Sequence, residues 1–498
     1  MTQIIALVSL GVFVFIMVSV GVVSSKKANT VDGFLLGGRN IGPWLTAFSY
    51  GTSYFSAVIF IGYAGMMGWN VGMGSMWIGI GNALIGCFLA WKLLALPTRK
   101  MTRKLNARTM PEFFQARYGD RNMKLYGAII IFLFLVPYAA GVYKGLGVMF
   151  SAIFKGVSPN LCMLFVAILT AVYLVLGGYV ATSLNDFIQG LIMIAGLLAM
   201  LAILLTRPEV GGFTGAFERL SAMDGKFVNP VGGDSFRLLI TNIMLTSVGV
   251  WGLPQMVQKY YAIKDESSIK LATFVSTFFA LFIGCGAYFT GSLGRLFISA
   301  KADGMPDTSA GFDGVVPTVL MKALTHSVFS NIILSLIMLL LLSASMSTLS
   351  AIVLSSSSAV ALDFVEEIRK DISPKNQVFL LRGMCLIFIA CSYIFATMNI
   401  SFIVNIMSFS WGVVAGCFIG PYIWGLYGKN ITRQGAWAGL FSGISVVGIL
   451  LISFTIFKDF EAAKSMAPAF GIAAIAASIT SVPLVSKITE NKDIKNIA

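Results

Sequence analysis

The residues best suited to do chemistry lie in a run apolar enough to cross a membrane. Ser343-Ala344-Ser345-Met346-Ser347-Thr348-Leu349-Ser350 sits inside the hydrophobic stretch 332–354. On a helix, Ala344, Ser347 and Thr348 fall at i, i+3 and i+4 and share one face. Two hydroxyls there, joined by a carbonyl facing a break in another helix, form a cage of neutral oxygens. Such a cage suits a small hard cation that must bind and then leave, as an ion-coupled transporter requires. The same residues also serve as packing glue, because small and hydroxyl side chains let membrane helices approach closely. Spacing alone does not choose between the two.

Two charged residues fall inside other apolar runs, and an ionisable group in a membrane span is a functional candidate. Asp186 stands near the start of the run 184–206. It either serves an ion path or caps the free N–H groups of that helix, a task Asn185 would do as well. Lys144 lies between Ala139-Ala140-Gly141-Val142-Tyr143 and Gly145-Leu146-Gly147. It either holds a substrate carboxylate or snorkels toward water near Lys155.

The elements that position these groups are membrane helices. The chain has 498 residues, 57% of them hydrophobic and 11% charged, which excludes a soluble protein. Apolar runs give about thirteen spans. The first is expected to stay as a span rather than be cleaved, because it lacks a basic leader and Ser24-Ser25-Lys26-Lys27 follows it. The net charge of +14 reflects membrane topology rather than nucleic-acid binding. Most Lys and Arg fall in loops after odd-numbered spans, led by Arg99, Lys100, Arg103, Lys104, Arg108, Arg117, Arg121 and Lys124. The positive-inside rule then places the N-terminus outside and the C-terminus in the cytoplasm of a multi-pass cell-membrane protein. Cys87, Cys162, Cys285, Cys385, Cys391 and Cys417 lie in apolar segments, and His326 is the single histidine. A zinc site or a histidine triad is not expected. The segments 110–118 and 363–370 are expected as amphipathic helices on the cytoplasmic surface.

Two spans read as interrupted. The second contains Gly51-Thr52-Ser53-Tyr54-Phe55-Ser56, and the seventh contains Gly249-Val250-Trp251-Gly252-Leu253-Pro254-Gln255. Glycine loosens a helix and proline removes a backbone donor. Freed carbonyls at membrane depth are tolerated where they line a cavity. The two spans lie five apart, so two five-helix units each open with a broken helix. An odd number inverts the second unit relative to the first, which points to a midplane transport site. The expected organisation is an N-terminal extra helix and loop (1–35), a first repeat (36–206), an extracellular loop (207–235), a second repeat (236–430), and two extra helices with a short cytoplasmic tail (431–498). A solute pocket is expected between spans two, four, seven and eleven. Its candidate lining is Tyr50, Tyr54, Ser56, Tyr138, Lys144, Trp251, Gln255, Ser408 and Trp411. Aromatics with a few polar groups suit a small organic solute, though each aromatic serves equally as core packing.

Four motifs together resemble the sodium/solute symporters, which include the sodium/proline, sodium/pantothenate and sodium/glucose transporters. They are Leu36-Gly37-Gly38-Arg39-Asn40-Ile41-Gly42, the pair Gly177-Gly178-Tyr179 and Asn185-Asp186-Phe187-Ile188-Gln189-Gly190, Gly252-Leu253-Pro254-Gln255, and Met346-Ser347-Thr348-Leu349-Ser350. The resemblance spans roughly residues 30 to 430. It implies an all-α polytopic fold with a leucine-transporter-type five-plus-five inverted repeat. It also implies a sodium site made by the carbonyls of Thr52, Phe55 and Ala344 and the hydroxyls of Ser347 and Thr348. Asp186 would then support sodium binding or exit to the inside. The chain departs from the sodium/proline pattern at three places. Tyr54 replaces an aspartate in the broken helix, and Thr246 and Val250 replace an aromatic pair. These changes, with sequences around Asp186 and Pro254 closer to the pantothenate branch, favour another carboxylate-bearing solute over proline.

The expected function is sodium-coupled symport of a small organic solute by alternating access, with Na+ as coupling ion and no other cofactor. The partners are the solute, sodium and the lipid bilayer, with no nucleic acid, and the protein is expected to act as a monomer. A solute sensor on the same fold would carry a long signalling domain, and the sequence ends soon after the last span. A proton-coupled symporter would want more buried carboxylates than Asp186. An intramembrane enzyme would want a second catalytic group beside it.

Overall fold

The computed structural model describes residues 2–490 apart from 155, 325–327, 370–371 and 399–402. Lys155, His326 and Lys370 therefore lie outside the described residues. Those described form helices and connecting loops, with only isolated bridges such as Ile41 to Ile263. This is what long apolar segments must do in lipid, where only a helix or a closed barrel satisfies every backbone group.

The chain opens with α1 (Thr2–Ser24) and α2 (Pro43–Tyr54). A π-helical turn (Val58–Tyr63) leads into α3 (Ala64–Val71). Next comes α4 (Met76–Gly81), which continues through π turns at Asn82–Leu89 and Trp91–Ala95. Then follow α5 (Arg121–Ile153), α6 (Pro159–Leu205), α7 (Phe236–Val248), α8 (Pro254–Ala262) and α9 (Ser267–Ser292). The remaining spans are α10 (Val328–Ser358), α11 (Pro374–Thr397), α12 (Ile403–Tyr427), α13 (Arg433–Phe457) and α14 (Ala467–Thr489).

Among the described residues, ten continuous helices are long and apolar enough to cross a membrane, and the bent pair of α7 and α8 makes eleven. Two of the ten, Val58–Lys104 and Pro159–Leu205, have 47 residues each. At 1.5 Å per residue each is about 70 Å long, more than twice a ~30 Å hydrocarbon core. Each also contains a glycine with positive φ: Gly72 at 70° and Gly178 at 54°. A Cβ at Gly178 would lie 2.8 Å from the Phe34 carbonyl oxygen, so only glycine fits there. The expected count of about thirteen spans requires that each long helix be two crossings.

Both predicted interruptions are present. The backbone leaves the helix at Phe55 (φ −104°, ψ 93°). In the seventh span a 3-10 turn at Gly249–Gly252 and an extended Leu253 separate α7 from α8, with a bend of 49°. Pro254 opens α8 at a position where a missing N–H leaves no bond unmade. Close packing surrounds these breaks, with α10 and α12 mostly enclosed and α1 and α13 facing outward.

The segment 363–370 differs from expectation. Its first residues continue α10 as a π turn (Ala359–Val365), and Asp363 is fully buried. Asp363 accepts a hydrogen bond from Thr109 (2.9 Å) and lies 3.8 Å from the Lys124 ammonium. These partners hold inside the protein a charge that amphipathic spacing had assigned to the surface.

Candidate cation and solute site

The end of α2 and the middle of α10 meet through oxygens. The Ser347 hydroxyl is 3.1 Å from the Thr52 carbonyl oxygen and 3.1 Å from that of Ala344. The Thr348 hydroxyl is 3.1 Å from the Ser53 carbonyl oxygen, 3.4 Å from that of Thr52 and 3.0 Å from that of Ala344. All five residues are buried. Thr52 and Ser53 supply carbonyls because the helix stops two residues later, leaving its last turn without intrahelical partners. Ligands ~2.4 Å from a hard cation the size of calcium stand ~3.4 Å apart at right angles. The observed separations of 3.0–3.4 Å are those of hydroxyl–carbonyl hydrogen bonds, and they gather oxygens of the kind a small hard cation takes. The cluster includes Ser53, which sequence reading did not name. Neither hydroxyl bonds Phe55, which marks the break itself.

One turn before Thr52, Ser49 begins a second buried polar cluster. Its hydroxyl donates to Asp186 Oδ2 at 2.5 Å and accepts from Lys259 Nζ at 2.8 Å. The ammonium lies 3.9 Å from the same carboxylate oxygen and 5.2 Å from the centre of the Tyr179 ring. Asp186 Oδ1, the Ser183 hydroxyl and Gln189 Oε1 have no partner. Asp186 is therefore the hub of a charge pair joining α2, α6 and α8, rather than a simple helix cap. Lys259, which the sequence analysis does not name, lies inside α8, which runs on to Ala262. The missed signal was a lysine between Gln258 and two tyrosines, in register with a helix that starts at Pro254.

The candidate solute residues divide by partner. Tyr54 donates to the Thr246 carbonyl at 2.5 Å, and the Thr246 hydroxyl donates to Asn82 Oδ1 at 2.8 Å. Two of the three departures from the sodium/proline pattern thus touch each other. Tyr50 donates to the Gly86 carbonyl and Trp251 to that of Ile85. Both carbonyls belong to the π turn after α4, whose wider winding offers backbone oxygens to side chains. Tyr138 stands edge-to-face on Trp411 with ring centres 5.7 Å apart, and Ser408 bonds Tyr63 at 2.9 Å. Trp411 Nε1 and Gln255 Oε1 are buried without a partner, one donor and one acceptor. Ser56 accepts from the Val58 N–H and caps the restarting helix.

Lys144 is drawn away from these groups. Its ammonium lies 3.7 Å from Asp313, on the loop that joins α9 to α10. Asp313 is 2% exposed and also accepts from the Ile403 N–H at the start of α12. Burial raises its carboxyl to about 6, against the opposing pull of Lys144. The pair fastens a loop over α5 and α12.

Residues 34–443 match the model of the Sodium:solute symporter family. The osmoregulated proline transporter OpuE of Bacillus subtilis is 27% identical over 96% of this chain and 94% of its own. A sodium/proline symporter of Haemophilus influenzae is 29% identical, with the same coverage of the two chains. A solved Na+-coupled sialic acid symporter in a substrate-bound outward-open state superposes with a TM-score of 0.74 at 18% identity, over 96% of this chain and 98% of that one.

Proposed function

The chain belongs to the sodium:solute symporter family, and from that premise we propose that it carries a small carboxylate-bearing solute into the cell together with Na+. The observation that carries this reading is the set of neutral oxygens shared by the broken end of α2 and the middle of α10. A cation held between two helices is released when one tilts from the other. The hydroxyl protons of Ser347 and Thr348, which point at carbonyls without an ion, turn outward when their lone pairs take one. Tyr50, Tyr54, Tyr138 and Trp411 are fully buried, so a solute reaches them only when helices move. This is alternating access.

The solute is an amino acid, pantothenate or another carboxylate. Proline stands first in any test because the relatives are named for it, while Tyr54 and Thr246 argue against it. The unpartnered Trp411 N–H and Gln255 carbonyl offer one donor and one acceptor to the solute. The protein acts as a monomer, with its N-terminus outside and its C-terminus in the cytoplasm.

The test is uptake into proteoliposomes of labelled proline, pantothenate, short monocarboxylates, sugars and sialic acid under an inward sodium gradient, with potassium as control. Sodium-dependent accumulation of one solute is expected. Accumulation that follows a proton gradient and ignores sodium would instead favour the proton-coupled rival, for which Asp186 is the buried carboxylate nearest the end of α2, with Asp313 and Asp363 also buried.

A further inference from the structure

A groove of about 800 Å³ opens on the side of the molecule between the end of the α4 span and the start of α9. The two helices touch closely at their other ends, where a Cβ on Gly79 would lie 2.6 Å from the Cys285 nitrogen. Toward the basic end they carry aromatics instead and splay apart. Each wall is a helical ladder with a lysine at its foot. Lys92 follows Phe88 by four residues, and its ammonium stands 5.6 Å from that ring. Lys270, Phe274 and Phe278 follow one another at the same spacing on α9, and the two phenylalanines are 70% and 65% exposed.

Charge and polarity are graded along the groove. Lys92 and Lys270 form no ion pair among the described residues. The acidic residue at the mouth, Glu266, is already held by Lys100 (3.5 Å) and Arg99 (4.0 Å). Farther in, Trp91 Nε1 and the Thr277 hydroxyl are buried polar atoms without a partner. Phe274 lies between Lys270 and Thr277 on α9, and Phe278 and Leu281 follow Thr277. The basic cluster that follows Trp91–Ala95 puts the lysine end in the cytoplasmic leaflet by the positive-inside rule.

We propose that this groove binds one anionic phospholipid of the cytoplasmic leaflet. Its phosphate sits at Lys92 and Lys270, and an acyl chain lies along Phe274 and Phe278, with the edge of the Trp91 ring and Thr277 lining the groove between the two walls. Two cationic feet and an aromatic wall above them match that molecule in order. Trp91 also packs on Tyr260 and Tyr50, with ring centres 4.9 and 5.4 Å away. The lipid therefore borders the same aromatic cluster that lies beside the candidate solute site. The proposal does not depend on which solute is carried.

The test uses the full-length protein in phosphatidylcholine nanodiscs doped with brominated phosphatidylglycerol or brominated phosphatidylcholine, read by tryptophan fluorescence. The wild type should be quenched at much lower doses of the anionic lipid. Lys92→Gln and Lys270→Gln should each lower that preference about fivefold, while Lys92→Arg/Lys270→Arg keeps it. Trp91→Phe should remove the component quenched at low dose. Excess inorganic phosphate should not compete. Equal quenching by both lipids in the wild type would overturn the proposal, as would an undiminished preference in the double Gln variant. Two copies per disc, with quenching by neither lipid, would assign the groove to a second copy and overturn it too. A Gln variant still quenched normally by phosphatidylcholine is folded, so its lost preference counts.

Discussion

Removing either member of the Asp186–Lys259 pair strands a charge in a fully buried site. Such loss typically costs about 3–5 kcal/mol. Asp186→Asn and Lys259→Met should each lower the thermal stability of the purified protein, and the double variant should recover part of it. Equal losses in all three would show that the pair is not a unit. Asp313 gives a pH prediction. Its carboxyl is raised to about 6 in the folded protein, above the ordinary value of 3.8. Between roughly pH 4 and 6 the native state binds the extra proton, so stability should fall as pH rises through this window. Thermal unfolding of the wild type against Asp313→Asn checks the sign, because the variant should lose that slope. That Ala344, Ser347 and Thr348 share one face was legible, because helical spacing alone dictates it. Asp313 was not, since it meets Lys144 only through a loop whose path no local pattern dictates. Lys259 was hidden because it follows the apolar part of its span, among polar residues and two tyrosines.

At the scale of elements, the two interruptions could be read directly, because glycine and proline announce a broken helix. Gly178 was quoted as a motif, yet its break was not foreseen, since nothing local separates a tolerated glycine from one at positive φ. Its need comes from Phe34, which packs where a side chain would be. Gly178→Ala should therefore destabilise the protein by about 1–3 kcal/mol from backbone strain alone, with further loss from the contact. A melting curve equal to the wild type would contradict that assignment. The π turn at Asn82–Leu89 was also invisible in the sequence. Its role appears only when Tyr50 and Trp251 are seen to use its carbonyls. Amphipathic spacing misplaced Asp363 because such a pattern assumes a helix that faces water on one side, and α10 is enclosed almost throughout.

For the molecule as a whole, composition settled that the chain lives in a bilayer, and the spacing of the two broken helices suggested the repeat. A fold of this type stores no energy of its own. The gradient supplies it: about 2.3 kcal/mol per charge per 100 mV, and roughly 1.4 kcal/mol per tenfold sodium ratio. Together these sustain solute accumulation on the order of several hundredfold for one sodium. That coupling holds only if the ion sits between parts that move, and the proposed site lies between two separate helices, where oxygens of α2 and α10 meet. The direct measurement is the sodium dependence of solute uptake in proteoliposomes for the wild type, Ser347→Ala and Thr348→Ala. Each substitution removes one neutral oxygen from the proposed shell. The sodium concentration for half-maximal uptake should rise at least tenfold in each, with the solute requirement at saturating sodium much less changed. An unaltered sodium dependence in both variants would contradict the site and, with it, the proposed means of coupling.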